Sequence, residues 1–164
     1  MVAEEYKNTE IGVIPKDWKV KAIGDIGEIK MCKRIFQNQT TSVGDIPFYK
    51  IGTFAKKADA FISEELFSLY KRQYSYPRKG EILISAAGTI GRTLIFDDKP
   101  SYFQDSNIVW VENNENLVSN KLLYYLFQII KYNTEGGTIQ RLYNTILKNA
   151  TFPLPPTKPE QNAI

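Results

Sequence analysis

Residues 81–96 constrain the fold more than any other stretch of the chain. Two β-rich runs, Glu81 to Ala86 and Thr93 to Phe96, flank a glycine-containing turn, Gly88 to Gly91. A connection this short joins antiparallel neighbours, because parallel strands need a crossover of about a dozen residues or more. Asp97-Asp98-Lys99-Pro100 makes another turn, and Ile108 to Val111 reads as a buried strand. Upstream, Ile46 to Ile51 is a strand that starts beside Pro47.

Helical signals are fewer and come mostly late. Ser63-Glu64-Glu65 opens a short helix, with Ser63 as N-cap and the acids favoured by the helix dipole. Leu122, Leu123, Leu126, Phe127 and Ile130 share one face of a helix predicted over 120–132, with Ser119 as N-cap and Gly136-Gly137 ending it. A second short helix falls near 143–148. Local hairpins followed by late helices predict an α+β domain with a curved, mostly antiparallel sheet and a few helices.

The ends are less regular. Residues 1–18 read as an extended arm that docks through Ile11, Ile14 and Trp18. Ile23, Ile26 and Ile29 lie three apart in a stretch whose two glycines disfavour a long helix, so a turn leading into a strand is expected. Residues 33–45 form a polar loop, and Lys56 to Asp59 a shorter one. Phe152-Pro153-Leu154-Pro155-Pro156 is too proline-rich for a helix or a central strand. Thr157-Lys158-Pro159-Glu160 looks like a helix start with proline in its first turn. The chain stops at Ile164 as that helix begins, which is the expectation for a piece of a longer protein. Trp18 and Trp110 are expected in the core rather than as base-stacking groups.

The 164 residues, 43% of them hydrophobic, suffice for one globular core. No apolar run reaches the roughly 18 residues of a membrane-spanning helix. The N-terminus, Met1-Val2-Ala3-Glu4-Glu5, is acidic with no apolar stretch behind it, and Cys32 is alone, so a reducing cytoplasm is expected. The chain has no histidine, which removes the usual general base, the histidine-activated nucleophiles and most zinc sites. The net charge of +3 is modest, but its distribution is uneven. Between Lys30 and Lys57 the bases are Lys30, Lys33, Arg34, Lys50, Lys56 and Lys57, against the single acid Asp45. Between Lys71 and Arg92 they are Lys71, Arg72, Arg78, Lys79 and Arg92, against Glu81 alone. Such clustering suits a polyanion, and it also suits a merely solvated surface.

Four stretches in order carry a resemblance. They are Lys7-Asn8-Thr9-Glu10-Ile11-Gly12-Val13-Ile14-Pro15-Lys16-Asp17-Trp18; Gly44-Asp45-Ile46-Pro47-Phe48-Tyr49-Lys50-Ile51-Gly52; Lys79-Gly80-Glu81-Ile82-Leu83-Ile84-Ser85-Ala86-Ala87-Gly88; and Phe152-Pro153-Leu154-Pro155-Pro156 followed by Glu160-Gln161 and Ile164. Together they resemble a target-recognition domain of type I restriction-modification specificity subunits, over almost the whole chain. The resemblance implies a recognition domain over 1–156 and the start of a truncated conserved spacer helix over 157–164. It implies reading of double-stranded DNA at one half of a split site. It also implies partners: methyltransferase subunits, a restriction-translocase subunit and a second recognition domain. It implies no catalysis by this chain and no cofactor.

Residue types nominate the contacts. Lys33, Arg34, Lys56, Lys57, Lys71 and Arg72 are the charged candidates, since arginine grips guanine O6 and N7 and lysine more often meets phosphate. Gln37, Asn38 and Gln39 can read adenine N6 and N7. Thr89 and Arg92 sit in a glycine-rich turn, Gly88-Thr89-Ile90-Gly91-Arg92, that lacks the Gly-Lys-Ser/Thr ending of a phosphate-cradling loop. It is a plain hairpin or a backbone approach to DNA. Gln104, Asp105, Ser106 and Asn107 are equally read as a structural turn.

Two other readings stand beside DNA recognition. One is an interaction module that docks a methyltransferase subunit without setting base specificity. The other is a metal-dependent nuclease built on Asp17 or Asp25, Glu28 and Lys30, which needs two carboxylates converging on a metal ion. The Asn-Pro-Pro-Tyr motif of amino-methyltransferases is absent from the sequence. Incubation with DNA, S-adenosylmethionine and Mg²⁺ is expected to give neither methylation nor cleavage; turnover abolished by Asp17→Ala or Glu28→Ala would establish the nuclease reading.

Overall fold

The computed structural model describes residues 5–132 and 141–162. The expected helix stop at Gly136-Gly137, the first four residues and Ile164 lie outside them. The strands are β1 (Tyr6–Thr9), β2 (Gly12–Pro15), β3 (Lys19–Ala22), β4 (Ile29–Lys30), β5 (Ile46–Tyr49), β6 (Phe61–Ile62), β7 (Ile82–Ser85), β8 (Thr93–Ile95), β9 (Tyr102–Phe103), β10 (Ile108–Val111) and β11 (Thr151–Leu154). The helices are α1 (Glu64–Gln73), α2 (Asn120–Ile129), α3 (Asn144–Asn149) and α4 (Lys158–Asn162).

The hairpin expected over 81–96 is β7–β8, and it supplies one side of the central sheet, ordered β4-β10-β7-β8. All its pairings are antiparallel. Every residue of β7 and β10 is buried, and alternate side chains leave opposite faces. Ile82, Ile84, Val109 and Val111 join Leu122, Leu123, Leu126 and Phe127 of α2, Leu147 of α3 and Phe152 of β11 in one core. Leu83, Ile108 and Trp110 point the other way, into a second core with Phe48, Phe67, Phe96, Tyr102 and Phe103. That second layer contains the sheet β6-β5-β9, where β5 pairs in parallel with β9, the exception among otherwise antiparallel ladders of the described residues.

Local signals behave as the sequence predicts at several points. The Ser63 and Ser119 hydroxyls accept from the N–H groups of Leu66 and Leu122, capping α1 and α2. Ile23–Asp25 is a single 3₁₀ turn ahead of β4, and the Ala22 N–H donates to Asp25 Oδ2. The proline-rich segment does form a strand, β11, but in a two-stranded ladder with β3, where the missing N–H of Pro153 breaks no central pairing.

Other expectations need correction. Residues 6–15 are a hairpin, β1–β2, rather than an extended arm. Of its three docking residues only Ile14 is buried; Ile11 is exposed and Trp18 half-buried, so the core tryptophan is Trp110 alone. The strand expected to reach Ile51 stops at Tyr49, because residues 51–53 turn into a 3₁₀ segment. α2 ends at Ile129 rather than 132, where Ile130 adopts extended backbone.

One buried acid ties these layers together. Glu81 is 2% exposed. Its carboxylate accepts from the N–H of Arg78 at 2.7 Å and from that of Asn113 at 3.1 Å. Asn113 in turn donates to the Val118 carbonyl and to Asn120 Oδ1 at the start of α2. Glu81→Ala strands two backbone donors, and an unsatisfied buried donor costs about 1–3 kcal/mol. The variant is expected to lose about 3 kcal/mol in chemical denaturation while keeping its far-ultraviolet circular dichroism.

Candidate nucleic-acid interface

The turn joining β9 to β10, residues 104–107, is the junction on which the polar surface is built. Ser106 holds left-handed backbone, φ 64°, which lets the turn close. Gln104 N–H donates to the Tyr49 carbonyl, and Gln104 Oε1 accepts from the Ile51 N–H at 3.0 Å and from Asn107 Nδ2 at 3.0 Å. Asp105 Oδ2 accepts from Arg34 Nε at 3.1 Å. Arg141 donates to Asn107 Oδ1 at 2.9 Å and to the Ser106 carbonyl at 2.6 Å. The Asn107 carbonyl accepts from the Ala86 N–H at the end of β7. Four segments far apart in sequence are thereby held at one turn. The structural reading of Gln104–Asn107 is the one realised.

Arg34, Lys33, Lys71 and Arg72 form one basic group around this frame. The Lys33 N–H donates to the Tyr102 hydroxyl, and its ammonium lies 5.0 Å from the centre of the Tyr74 ring, just past α1. Lys71, in the last turn of α1, sits 5.2 Å over Tyr76 and 5.7 Å over Phe67. Such cation–π contacts hold the stems of both lysines while their charge stays near solvent. Arg72 is exposed one residue further on. The two basic pairs, distant in sequence, are therefore neighbours in space.

Lys56, Lys57, Thr89 and Arg92 form a second group. The Arg92 guanidinium lies 5.8 Å from the Phe54 ring centre and donates to the Phe54 carbonyl at 3.5 Å, which ties the β7–β8 turn to the loop carrying Lys56 and Lys57. Ser85 Oγ closes that turn by donating to the Thr89 carbonyl and accepting from the Arg92 N–H. Thr89, Lys56 and Lys57 are exposed; Arg92 is half-buried and faces the protein rather than the tip of its turn.

The amide triplet divides. Residues 37–39 make a 3₁₀ turn in which Gln39 Oε1 accepts from the Phe36 N–H, so Gln39 serves the loop. The Gln37 and Asn38 side chains are exposed. Gln37, Thr41, Ser42, Lys50, Asp59 and Gln104 border an open groove of about 490 Å³ floored by Ile35 and Phe48. Asp59 and Arg141 carry no sequence signal of their own, and Lys50 shows only as one base of the 30–57 run; the fold brings all three to this surface.

Two carboxylates of the nuclease reading have partners of their own: Asp25 Oδ2 accepts from the Ala22 N–H. Glu28 is paired with Lys30 at 2.9 Å, and this hydrogen bond and charge hold its carboxyl below the usual range. Among the described residues no three His, Cys, Asp or Glu side chains come together as metal ligands. No described helix is long and apolar enough to cross a membrane.

The family model for the type I restriction modification DNA specificity domain matches residues 15–164. The chain belongs to this family. A Haemophilus influenzae protein described as a type I restriction enzyme specificity subunit is 60% identical over 161 residues, which are 98% of this chain and 42% of that protein. A Methanocaldococcus jannaschii type I restriction enzyme specificity subunit is 28% identical over 174 residues, 96% of this chain and 38% of its own length. The specificity domain thus spans about two fifths of these relatives. Among solved structures, the HsdS subunit of Thermoanaerobacter tengcongensis superposes with a TM-score of 0.64 at 16% identity over 98% of this chain and 38% of that one. The S subunit of a type I restriction-modification system from M. genitalium gives 0.61 at 19% identity, over 89% and 36%. At these identities the likeness is one of fold, and it agrees with the expected α+β recognition-domain architecture.

Cys32 lies beneath this surface of the specificity domain, next to Lys33. Burial pushes its thiol up to about 12, so at pH 8 it carries no thiolate, the form that attacks disulfide reagents. It is expected to stay unreactive towards Ellman's reagent in the native protein and to react fully once urea unfolds the chain. Rapid native labelling at pH 8 would contradict this burial.

Proposed function

We propose that this domain reads one half of a bipartite double-stranded DNA site as part of a type I specificity subunit and performs no chemistry itself. Membership of the DNA specificity family over residues 15–164 is the observation that carries this reading. The two basic groups around the 104–107 turn supply its electrostatic means. Lys33, Arg34, Lys71 and Arg72 in one group, and Lys56, Lys57 and Thr89 in the other, are exposed, and aromatic rings hold the stems of Lys33 and Lys71. Lysines of this kind meet phosphates and position the protein, whereas base edges are read by side chains that reach into the groove. In this reading the exposed Gln37 and Asn38 reach the bases, and Gln39 and Arg92 act chiefly by holding their loops.

Residues 1–156 then form the recognition domain, and α4 begins the spacer helix of 157–164. The partners in this reading are methyltransferase subunits, a restriction-translocase subunit and a second recognition domain, which together supply the catalysis and the other half-site. A single reader makes few contacts, and joining two makes the second binding event intramolecular. The isolated domain is therefore a weak binder with half-site selectivity.

Each phosphate contact releases counterions, so log affinity falls by roughly 0.9 per log unit of salt for each one. Changing Lys56 and Lys57 together to Ala is expected to flatten the salt slope of DNA binding by about 1.8. Fluorescence anisotropy titrations from low to moderate salt read this directly, and an unchanged slope would place both lysines away from the DNA.

A further inference from the structure

Beyond the basic groups, the open groove beside residues 37–42 contains an ion pair. Lys50 Nζ lies 3.1 Å from Asp59 Oδ1, with the two side chains 41% and 63% exposed. We infer that the Lys50–Asp59 pair determines base specificity by reading the major-groove edge of one G·C pair. The inference rests on the DNA-reading function proposed above.

The backbones that carry the pair are fixed. The Lys50 N–H donates to Thr53 Oγ1 at 2.9 Å, and Thr53 is buried. The next N–H, of Ile51, is held by Gln104. Beside Asp59, the Ala60 carbonyl accepts from the Phe48 N–H on β5. The side chains themselves reach solvent. Three of the arginines that would ordinarily be nominated for guanine are engaged within the protein, and the exposed Arg72 does not line this groove. Arg34 is bound to Asp105, Arg92 to the Phe54 carbonyl, and Arg141 to Asn107 and Ser106. They hold the frame, and Lys50 and Asp59 are presented by it.

The pair matches one base pair without being broken. An ammonium has three donors, and one is given to Asp59. The other two face acceptors, while the carboxylate keeps lone pairs for a donor. A G·C edge presents guanine N7 and O6 side by side, then the cytosine N4 amino group. Lys50 takes the two acceptors and Asp59 takes the amino group. No unpaired charge is buried, which is the condition under which a desolvated ion pair does not oppose binding. An A·T edge sets the adenine N6 donor between its acceptors and adds the thymine methyl. That places a donor against the ammonium and an apolar group against two charges.

The test uses the complete specificity subunit assembled with its methyltransferase subunits. Modified sites are mapped in cells carrying wild type, Lys50→Ala, Asp59→Ala or the shape-conserving Asp59→Asn. The purified complexes are titrated with every single-base variant of the mapped site. Discrimination at one G·C position of this half-site is expected to fall about 5- to 150-fold, with other positions unchanged. Unchanged discrimination everywhere, equal weakening on every DNA, or a half-site without a G·C pair overturns the inference. Asp59→Asn and thermal melting of each complex separate a folding defect from lost reading. If exchanging the whole domain leaves the mapped site unchanged, the DNA-reading function itself fails, a different result from loss at one position.

Discussion

Everything in this domain is referred to the pairing of β7 with β10. These two strands are buried on both faces, so they are apolar at every position but Ser85, whose hydroxyl is hydrogen-bonded within the β7–β8 turn, although their ladder is antiparallel. Their alternate side chains divide the interior into two cores. One receives α2, α3 and β11; the other receives the β6-β5-β9 sheet and α1. Removing apolar bulk at this seam would therefore loosen both layers at once. The buried Glu81 sits at the edge of the same seam, where its carboxylate satisfies two backbone donors that no strand partner reaches.

The polar surface follows from that seam. β9 lies in the second layer and β10 in the central sheet, so the turn between them spans the boundary, and its groups face segments from both sides. Gln104, Asp105, Ser106 and Asn107 use side chains and backbone to hold residues 34, 51, 86 and 141 in place. Polar groups that are each partnered rigidify a surface, whereas partly satisfied ones weaken it. With Arg34, Arg92, Arg141, Gln39 and Gln104 committed to hydrogen bonds within the protein, the lysines, Arg72, Gln37 and Asn38 are left at the surface. Aromatic rings under Lys33 and Lys71 hold the stems without neutralising the charge. In the proposed function such a surface attracts DNA from a distance, and discrimination falls to exposed groups such as Gln37, Asn38 and the Lys50–Asp59 pair.

Much of this was legible in the chain of letters. The hairpin over 81–96, the Ser63 and Ser119 caps, the apolar stripe of α2 and the four family motifs each lie within a few residues, and local geometry expresses them directly. The amide loop and the basic pairs were also visible as candidates. What could not be seen was their employment. Gln39 and Arg92 look like Gln37 and Arg72 in sequence, yet Gln39 closes its own turn and Arg92 reaches back to Phe54. Trp18 and Trp110 differ in the same way, one half-buried beside a hairpin and the other sealed in the second core.

By itself, then, the sequence determined the class of fold, the positions of the main caps and turns, and the family. These depend on periodicity and residue chemistry over spans of a turn or a strand, which the chain carries wherever it goes. Only the tertiary structure decided which charges are free. Arg34 meets Asp105 across 71 residues, Ile51 meets Gln104 across 53, and Arg141 meets Asn107 across 34. A side chain's hydrogen-bonding capacity is written in its type, but whether a partner or solvent takes it up depends on which distant backbone is folded beside it.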